Sequence, residues 1–324
     1  MIKLSLAVPC FNEQDNVKAF YDMVNSVFAD KGFEYEFVFV NDGSRDDTFL
    51  RLKEIYELHE HHVTVVGFSR NFGKDAAVYA ALKHCKGQLV SVIDADLQQR
   101  PEVVLEMMDY LDKNPDCDCV AAYQEKRREG GFMTFCKSSF YKLVNKVSDT
   151  EFYPDASDFR TFRQNMAKAV LDMTEYHRFS KGIFSWVGFD THYIPYTAEE
   201  RNAGETKWSF KKLMRYAVDG MISFTTAPLK IPFAAGGFIT AAGLVWLIVL
   251  VVMAAINGFD DNIRFAMIIS VILDMGGIQL MALGIIGEYL SRMYIQGKNR
   301  PIYIEKCCLE DNEASSDSRE NSDE

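Results

Sequence analysis

Two long stretches without charge constrain this chain more than any other feature of its sequence. Residues 231–256 carry no charged side chain, and residues 265–286 carry only Asp274. Each stretch exceeds the roughly 20 residues that a helix needs to cross a hydrocarbon core of about 30 Å. Both are apolar on all sides rather than along one stripe, which disfavours the alternative that they are buried helices of a soluble core. The sequence therefore predicts two transmembrane helices, over residues 229–257 and 265–290.

The charges that flank these two helices predict their orientation. Basic residues precede the first helix and follow the second, whereas the loop 257–264 between them carries two aspartates against one arginine. Because cytosolic loops carry an excess of lysine and arginine, both termini are expected in the cytosol. The sequence thus predicts an integral protein of the inner or plasma membrane with a cytosolic N-terminal domain. The basic residues are Lys207, Lys211, Lys212, Arg215 and Lys230 before the first helix and Arg292, Lys298 and Arg300 after the second.

The net charge of −11 and the seven cysteines exclude some classes of protein. An acidic chain gives no reason to expect a nucleic-acid partner. Much of the acidity lies in residues 291–324, which we predict to be a cytosolic tail that is disordered from residue 305. The cysteines form no paired framework, as expected in a reducing compartment. Neither Cys117-x-Cys119 nor Cys307-Cys308 has metal-site spacing with histidines nearby, so we interpret both pairs as structural or incidental, with lipidation of the second as an alternative.

Residues 1–125 alternate between two sequence patterns. Apolar, β-branched runs occur at LSLAV, EFVFV, VTVVGF, LVSVI and CVAAY, and segments of helical periodicity or composition begin near Glu13, Asp46, Lys74 and Pro101. This alternation predicts an α/β fold with a mostly parallel sheet that helices cover on both faces. In such sheets ligands bind beyond the carboxyl ends of the strands. We therefore expect the site in the polar segments that follow the runs, which are Pro9–Glu13, Asn41–Ser44, Ser69–Lys74 and Asp94–Asp96.

Asp94 and Asp96 are the strongest of these candidates. Residues i and i+2 of an extended chain face the same way, and two carboxylates placed so repel each other unless a cation or a proton lies between them. Hard oxygen ligands that leave the coordination shell incomplete suit Mg²⁺ or Mn²⁺, completed by water and substrate phosphates. The segment Asn41–Ser44 has an alternative explanation as a simple turn, because Asn, Asp, Gly and Ser are common turn residues.

Several ordered motifs resemble one known family. The runs VPCFNE, VNDGSRDDT, SRNFGKDAA and DADLQQRPE resemble the family 2 glycosyltransferases of GT-A fold. Further on, PDASDFR, RFSKGIFSWVGF, RNAGETKWSFKKL, DGMISFTTAPL and GEYLSRMYIQGKNRPIY resemble one branch, the membrane-bound polyprenyl-phosphate glycosyltransferases related to bactoprenol glucosyltransferase and dolichyl-phosphate mannose synthase. The resemblance covers residues 3 to about 304. It implies a Rossmann-like GT-A domain over residues 1–208, followed by the two transmembrane helices.

The resemblance also implies roles for residues at the donor end of the site. Many family members carry tyrosine where Phe11 stands, so stacking on the base is retained while a hydroxyl contact is lost. Arg201 and Lys207 resemble basic residues that close over the diphosphate, the alternative being interfacial charge beside the membrane. The residues implied to line the nucleotide pocket are Pro9, Phe11, Glu13, Asp42 and Asp94, together with Lys207. Those that match the metal-binding Asp-x-Asp-x-Gln are Asp94, Asp96 and Gln98, with Mg²⁺ or Mn²⁺ as the ion.

A phosphate monoester as acceptor removes the need for a strong general base. Its second pKa, near 6, leaves it largely dianionic at neutral pH. By resemblance, Asp158 is a base or an orienter of the acceptor and, with Asp96 and Arg201, a catalytic residue. A buried salt bridge from Asp158 to Arg160 or Arg178 is the alternative. The residues that the resemblance places loosely near the acceptor phosphate are Arg127, Arg128 and Lys137.

Two further segments show helical periodicity with one apolar face. They lie near residues 132–147 and over residues 209–228, and they suit amphipathic helices in the headgroup layer. Helices that merely cover the catalytic core are the alternative reading. Asp274, within the second transmembrane helix, is expected to face a partner helix or water. The resemblance implies a homo-oligomer, with a tetramer as the family precedent.

The resemblance implies an inverting hexosyltransferase. It would move one sugar, glucose being the family default, from a UDP-sugar to undecaprenyl phosphate or a similar polyprenyl phosphate at the cytosolic membrane face. The product would serve cell-envelope glycan modification. A processive polysaccharide synthase is an alternative, although the Gln-x-x-Arg-Trp signature of such enzymes is absent. A membrane-anchored nucleotide-sugar binder or scaffold without turnover is the second alternative.

Overall fold

The structure, a computed structural model, describes residues 1–124, 156–176, 178–197 and 261–310, together with residues 199, 238, 245 and 246. The chain divides into two compact units. The first comprises Met1–Asn145, Thr150–Met214 and Pro301–Glu324, and the second comprises Lys146–Asp149 and Arg215–Arg300. The C-terminal segment from Pro301 therefore belongs to the same unit as the N-terminal domain.

The first unit contains one sheet of eight strands in the order β7-β5-β6-β4-β1-β2-β3-β8. Strands β4, β1, β2 and β3 are parallel neighbours, whereas β6 lies antiparallel between β4 and β5, and β8 lies antiparallel along β3. The mostly parallel α/β fold is thus confirmed. The strands are β1 (Leu4–Cys10), β2 (Tyr35–Asn41), β3 (His62–Phe68), β4 (Leu89–Val92), β5 (Cys119–Gln124), β6 (Ala156–Arg163), β7 (Thr191–Tyr196) and β8 (Glu305–Leu309).

Helices connect the strands and bury their central members. Every residue of β2 is buried, and its stacked rings Phe37 and Phe39 lie with their centroids 5.5 Å apart in the core. Phe20, on the apolar face of the first helix, packs edge-on against Phe39 with the ring centroids 6.3 Å apart. The helices of this unit are α1 (Val17–Phe28), α2 (Thr48–Tyr56), α3 (Lys74–His84), α4 (Pro101–Lys113), α5 (Gln164–Asp172) and α6 (Ser180–Trp186).

The five apolar runs and two of the four helix starts lie where the sequence predicts. Helix α3 begins at Lys74 because Gly73, with φ +100°, turns the chain out of β3, and α4 begins at Pro101, whose fixed φ suits a first helical position. Helix α1 begins at Val17 rather than Glu13. The amide of Glu13 donates to Thr48 Oγ1 at 2.8 Å, which holds this segment as a turn ahead of the helix.

The predicted disorder from residue 305 is wrong for Glu305–Leu309, which form β8. Val66 pairs with Cys308 and Gly67 with Cys307, so the strand completes the β3 edge of the sheet. Before the strand, the ring of Tyr303 stacks on Phe68 with centroids 4.7 Å apart. Backbone pairing with an open sheet edge and one aromatic contact thus order a segment whose composition is too polar to form a core of its own.

The second unit contains helix α7 (Asp261–Gly297), whose 37 residues extend over about 55 Å. It includes the segment 265–290 predicted as a helix. Within the part of the chain that the structure describes, no helix is both long and apolar enough to cross a bilayer. Predicted segments 132–147, 209–228 and 229–257 lie outside the described residues apart from single helical positions, as does the side chain of Asp274.

Gly87 offers a test of how tightly the sheet packs below the site. Its amide donates to Ser5 Oγ at 2.8 Å, and a Cβ built on Gly87 would lie 2.8 Å from the backbone nitrogen of Ser5. We expect Gly87→Ala to lower the free energy of unfolding by about 1–3 kcal/mol through overpacking, because β1 must shift. Gly297→Ala, at the end of α7, is the control, since no atom lies within 4 Å of its Cβ position and its φ lies outside the left-handed region. Thermal unfolding in detergent should show the larger loss for Gly87→Ala, and equal losses would contradict the packing argument.

Candidate active site

The polar segments that follow four neighbouring strands meet at one edge of the sheet. Because β4, β1, β2 and β3 are parallel neighbours, their carboxyl ends lie side by side. Hydrogen bonds connect the first two segments directly. The amide of Asn12 donates to Ser44 Oγ at 3.0 Å, and the amide of Arg45 donates to Asn12 Oδ1 at 3.0 Å. The predicted crevice at this edge is therefore formed from segments that support one another.

Asp42 organises the loop that follows β3. Its carboxylate accepts hydrogen bonds from the amides of Phe72 at 2.6 Å and Gly73 at 3.0 Å and from Asn71 Nδ2 at 2.9 Å. Burial raises the pKa of Asp42 to about 6, although the two backbone donors and Arg70 favour the ionised form. Asp42 is thus an anchor of the donor-side loop 69–74, in addition to the nucleotide contact that the resemblance implies.

Gly43 allows this loop to approach. It has φ +62°, and a Cβ at this position would lie 2.3 Å from the carbonyl carbon of Arg70. Any side chain would therefore collide with the backbone of loop 69–74. Asn41–Ser44 thus forms a turn, as the alternative interpretation predicts, and this turn brings Asp42 to Phe72 and Gly73.

A three-residue ion cluster, formed by Lys74, Asp94 and Asp158, lies at the centre of the site. Lys74 Nζ lies 2.7 Å from each carboxylate oxygen of Asp94 and 3.5 Å from Asp158 Oδ2. Asp158 Oδ1 is buried and accepts no hydrogen bond from any residue that the structure describes. The alternative prediction, a salt bridge from Asp158 to Arg160 or Arg178, is therefore wrong in its partner, because the ion pair of Asp158 among the described residues is with Lys74. Arg160 instead stacks over Phe184, and Arg178 stacks over Tyr79.

The charges of this ion cluster shift one another's pKa values. Burial alone would lower the pKa of Lys74, but the carboxylates of Asp94 and Asp158 outweigh it and raise that pKa. Burial alone would raise the pKa of Asp158, but Lys74, Lys181 and Arg160 together lower it. For Asp94, burial raises the pKa against the opposing effect of Lys74, and the neighbouring Asp96 adds to the rise. An ionised Asp158 beside a cationic Lys74 is the state these shifts favour at neutral pH.

The segment after β4 places the predicted metal ligands on a constrained loop. Asp96 Oδ1 accepts the amide of Gln98 at 3.2 Å, and Leu97 between them has φ +62°. Gln98 Nε2 donates to the carbonyl of Glu199 at 3.3 Å. Arg100 forms an ion pair with the Glu199 carboxylate. The loop 94–100 is thus tied to the chain beyond β7.

These carboxylates fit a divalent ion such as Mg²⁺ or Mn²⁺ by the chemistry of their donors. Asp94 and Asp96 supply hard oxygen ligands at one strand end, and the charge of Asp96 contributes to the raised pKa of Asp94, an effect that a bound cation would offset. Gln99, which the sequence did not single out, holds Asp94 in place. Its Oε1 accepts the Asp94 amide at 2.9 Å, and its Nε2 donates to Asp94 Oδ2 at 3.3 Å.

The structure describes eight of the thirteen predicted site residues. Pro9 lies in β1 opposite Val40, with Phe11 directly beyond the strand and Glu13 Oε2 accepting Asn16 Nδ2 at 2.6 Å. Lys74 was recognised only as one of several polar residues at a strand end, and its role appears only when Asp94 and Asp158 come together. The predicted residues that lie outside the described part of the chain are Arg127, Arg128, Lys137, Arg201 and Lys207.

Comparisons with known proteins find matches to both the N-terminal and the C-terminal parts of the chain. The family model described as glycosyl transferase family 2 matches residues 5–171, and a second, described as the GtrB C-terminal hairpin, matches residues 227–293. A Bacillus subtilis (strain 168) protein named as a glycosyltransferase, CsbB, is 37% identical over 303 residues, covering 94% of this chain and 91% of that protein.

Two further relatives carry more specific names. A prophage bactoprenol glucosyl transferase homolog of Escherichia coli (strain K12) is 34% identical over 309 residues, covering 94% of this chain and 99% of the relative. The bactoprenol glucosyl transferase of Shigella phage SfII is also 34% identical over 309 residues, covering 94% of this chain and 98% of the relative. The similarity thus spans both the N-terminal domain and the C-terminal region.

The raised pKa of Asp42 predicts a pH dependence of stability. Its folded pKa of about 6 exceeds its ordinary value of 3.8, so the folded state binds this proton more tightly. The contribution of Asp42 to stability is therefore greatest below about pH 4 and is lost as the pH rises through about 6. Relative to Asp42→Asn, wild-type protein should lose stability across this window in thermal unfolding. Asp112→Asn, at the surface beside Lys3, controls for removal of one carboxylate. Parallel pH profiles of wild type and Asp42→Asn would contradict the prediction.

Proposed function

The chain belongs to glycosyl transferase family 2, and from that membership and the site geometry we propose a specific reaction. The enzyme transfers one sugar, glucose being our first candidate, from a UDP-sugar to undecaprenyl phosphate or a similar polyprenyl phosphate, with inversion at the anomeric carbon. UDP is released, and the lipid-linked sugar is available for modifying cell-envelope glycans. The relatives named as bactoprenol glucosyl transferases support the lipid acceptor and the glucosyl group.

The observation that carries this proposal is the ion cluster of Lys74, Asp94 and Asp158. Asp94, which follows β4 on the donor side of the site, lies close to Asp158 of β6, and the ammonium of Lys74 lies between the two carboxylates. A buried carboxylate oxygen of Asp158 has no hydrogen-bond partner among the described residues, so its capacity to accept a hydrogen bond is not used by them. A nucleotide-sugar bound at Asp94 and Asp96 would place its sugar beside Asp158.

Asp94, Asp96 and Gln98 would hold a divalent ion, Mg²⁺ or Mn²⁺, with the donor diphosphate. When bound, the ion neutralises negative charge that develops on the departing nucleoside diphosphate. Asp42 holds loop 69–74 against the donor, and Gln99 fixes the orientation of Asp94. The ammonium of Lys74 opposes the burial that raises the pKa of Asp94 and helps to lower the pKa of Asp158, so it favours the ionised form of both carboxylates. The residues that would complete the donor grip are Arg201 and Lys207.

Asp158 acts in this proposal as an electrostatic and orienting residue rather than as a general base. A general base works best with a pKa near the operating pH, whereas Lys74 and other cations lower the pKa of Asp158. A phosphate acceptor is already deprotonated and needs no such base. An ionised carboxylate does stabilise the positive charge that builds at an anomeric carbon during glycosyl transfer. The candidates for cationic binding of the acceptor phosphate are Arg127, Arg128 and Lys137.

We propose that residues 229–257 and 265–290 form a membrane hairpin, with the catalytic domain and both termini cytosolic. The uncharged stretches of the sequence and the match to the GtrB C-terminal hairpin support this proposal. Within α7, large apolar side chains such as Leu280, Ile286 and Leu290 are more than half exposed, as lipid-facing residues would be. Assembly into a homo-oligomer, such as a tetramer, belongs to the same proposal.

A transfer assay tests the reaction. Purified protein in detergent is given undecaprenyl phosphate, Mg²⁺ or Mn²⁺ and a panel of labelled UDP-sugars, and label entering the organic phase is counted. We expect transfer from one donor, its loss with EDTA, and a fall of about 10²-fold or more for Asp96→Ala, because a ligand of the charge-neutralising ion is removed. Asp109→Ala is the matched control, since Asp109 pairs with Lys113 on the surface of α4. Metal-dependent UDP binding without transfer from any donor would favour the alternative of a binder or scaffold.

Asp158→Asn separates the catalytic role of this residue from a structural one. We expect kcat to fall about 10²-fold while the KM for the UDP-sugar stays within a few-fold of wild type, because the lost charge matters mainly in the transition state. In wild type, kcat should be independent of pH near neutrality, because the pKa of Asp158 is lowered and no general base titrates there. A donor KM that rises in proportion to the loss of activity would instead assign Asp158 to holding the donor site together through Lys74.

A further inference from the structure

A second group of potential metal ligands lies at the edge of the sheet, where β8 meets the end of α3. His84, Cys308 and Glu310 each offer one ligand atom there, and these atoms all lie within 4.8 Å of one another. We call these three residues the β8 cluster. They share no residue with the Asp94, Asp96 and Gln98 set, and they come from segments more than 220 positions apart in the chain.

The fold creates this group by pairing β8 with β3. Cys308 pairs with Val66 and Cys307 with Gly67, so the two adjacent cysteines face opposite sides of the sheet. Cys307 Sγ would lie 2.7 Å from a Cβ built on Gly67, on the side where Phe49 of α2 packs. Cys308 faces the other side, where His84 occupies the last turn of α3. Only one cysteine of the pair can therefore reach the histidine.

The contacts of His84 show how close the ligands already are. His84 Nδ1 lies 3.7 Å from Glu310 Oε2, and its Nε2 lies 3.6 Å from Glu305 Oε1. The His84 side chain is only 18% exposed, so its ring is held between the helix and the strand. Ligand atoms that share one tetrahedral ion at 2.0–2.3 Å are typically about 3.3–3.8 Å apart. The His84–Glu310 separation falls within this range.

The chemistry of these ligands selects a class of ion. An imidazole nitrogen, a thiolate and a carboxylate are the ligand types of Zn²⁺, whereas Mg²⁺ prefers oxygen ligands alone. The carboxylates of Glu305 and Glu310 place negative charge around His84 and Cys308, which a bound dication would offset.

Lys86 is the competitor for this position. Its ammonium lies 2.6 Å from Glu310 Oε1 and lowers the pKa of Glu310 through that hydrogen bond. The side chain of Lys86 is 57% exposed, so it can leave Glu310 at little cost. Glu310 Oε2, on the His84 side, remains within ligand distance of an ion held by His84 and Cys308.

We propose that His84, Cys308 and Glu310 bind one Zn²⁺ or a similar borderline transition-metal ion, with water as the fourth ligand, while Glu305 faces the other ring nitrogen of His84. The ion fastens the C-terminal strand β8 to the end of α3 and so closes the edge of the sheet. This site is distinct from the one formed by Asp94, Asp96 and Gln98, because its ligands include a thiolate and an imidazole. Its role is structural rather than catalytic.

Co²⁺ is the probe that tests this site, because thiolate ligation gives it a charge-transfer absorption that an all-oxygen site lacks. Full-length protein in detergent is stripped with chelator, reduced and titrated with Co²⁺ while the near-ultraviolet band is recorded. We expect a band that saturates at one ion per chain and is displaced by Zn²⁺. Lys86→Met should lower the Co²⁺ concentration needed for half-saturation, because the competing ammonium is gone.

Cys307 supplies a matched control beside Cys308. The band should be lost in Cys308→Ser and retained in Cys307→Ser, and His84→Gln and Glu310→Gln should weaken binding several-fold. Thermal unfolding without metal should be the same for all four variants, which excludes loss of fold as the cause. No band in wild type, a band retained in Cys308→Ser, or equal loss in both cysteine variants would overturn the proposal. None of these results depends on sugar transfer, so failure here is distinct from failure of the proposed reaction.

Discussion

The ammonium of Lys74 between Asp94 and Asp158 is the interaction on which the rest of the site depends. The side chains of the two aspartates are only 27% and 23% exposed, and placing them together without a cation would leave uncompensated charge in a poorly solvated crevice. Lys74 can occupy that position because α3 begins at it, directly after the left-handed turn at Gly73. The same turn is held by Asp42, which accepts the Gly73 amide. The strand ends β2, β3, β4 and β6 are therefore joined through one short loop.

The sequence predicts strands β1 to β5 of this sheet, whereas it does not predict β6, β7 and β8. The runs of β1 to β5 are apolar and β-branched because helices bury both of their faces, and such runs stand out in any sequence. Strand β6 (ASDFRTFR) carries three charged residues, β7 contains Pro195, and β8 lies in an acidic tail. These strands are stabilised by pairing with partners far along the chain. Long-range pairing of this kind cannot be predicted from the local sequence of a strand.

The same division applies to the candidate site. The spacing of Asp94 and Asp96 predicts a cation site on the premise of an extended segment, whereas the structure places both residues on a loop beyond β4, where Asp96 lies in a turn. The bridge from Lys74 to Asp158 spans 84 positions and depends on how β6 pairs with β4, which no local pattern encodes. For Asp42, the family resemblance predicts a contact with the nucleotide, whereas the contacts that the structure describes are with loop 69–74. The β8 cluster could not be predicted either, because the histidine beside Cys308 is His84, which is distant in the sequence and close only in the folded chain.

The C-terminal segment at the edge of the sheet contacts the loop that carries Lys74. Ser69, the first residue of loop 69–74, donates its amide to the carbonyl of Ile304 at 3.0 Å, and Tyr303 stacks on Phe68 just before that loop. Ile302 lines a cavity of about 290 Å³ together with Asn71, Phe72 and Gly73 of the same loop. The segment that follows α7 therefore supports the loop that Asp42 anchors and that carries Lys74. Loop 69–74 is therefore held by Asp42 on one side and by residues 302–304 on the other. Its position depends on the C-terminal segment as well as on the sheet.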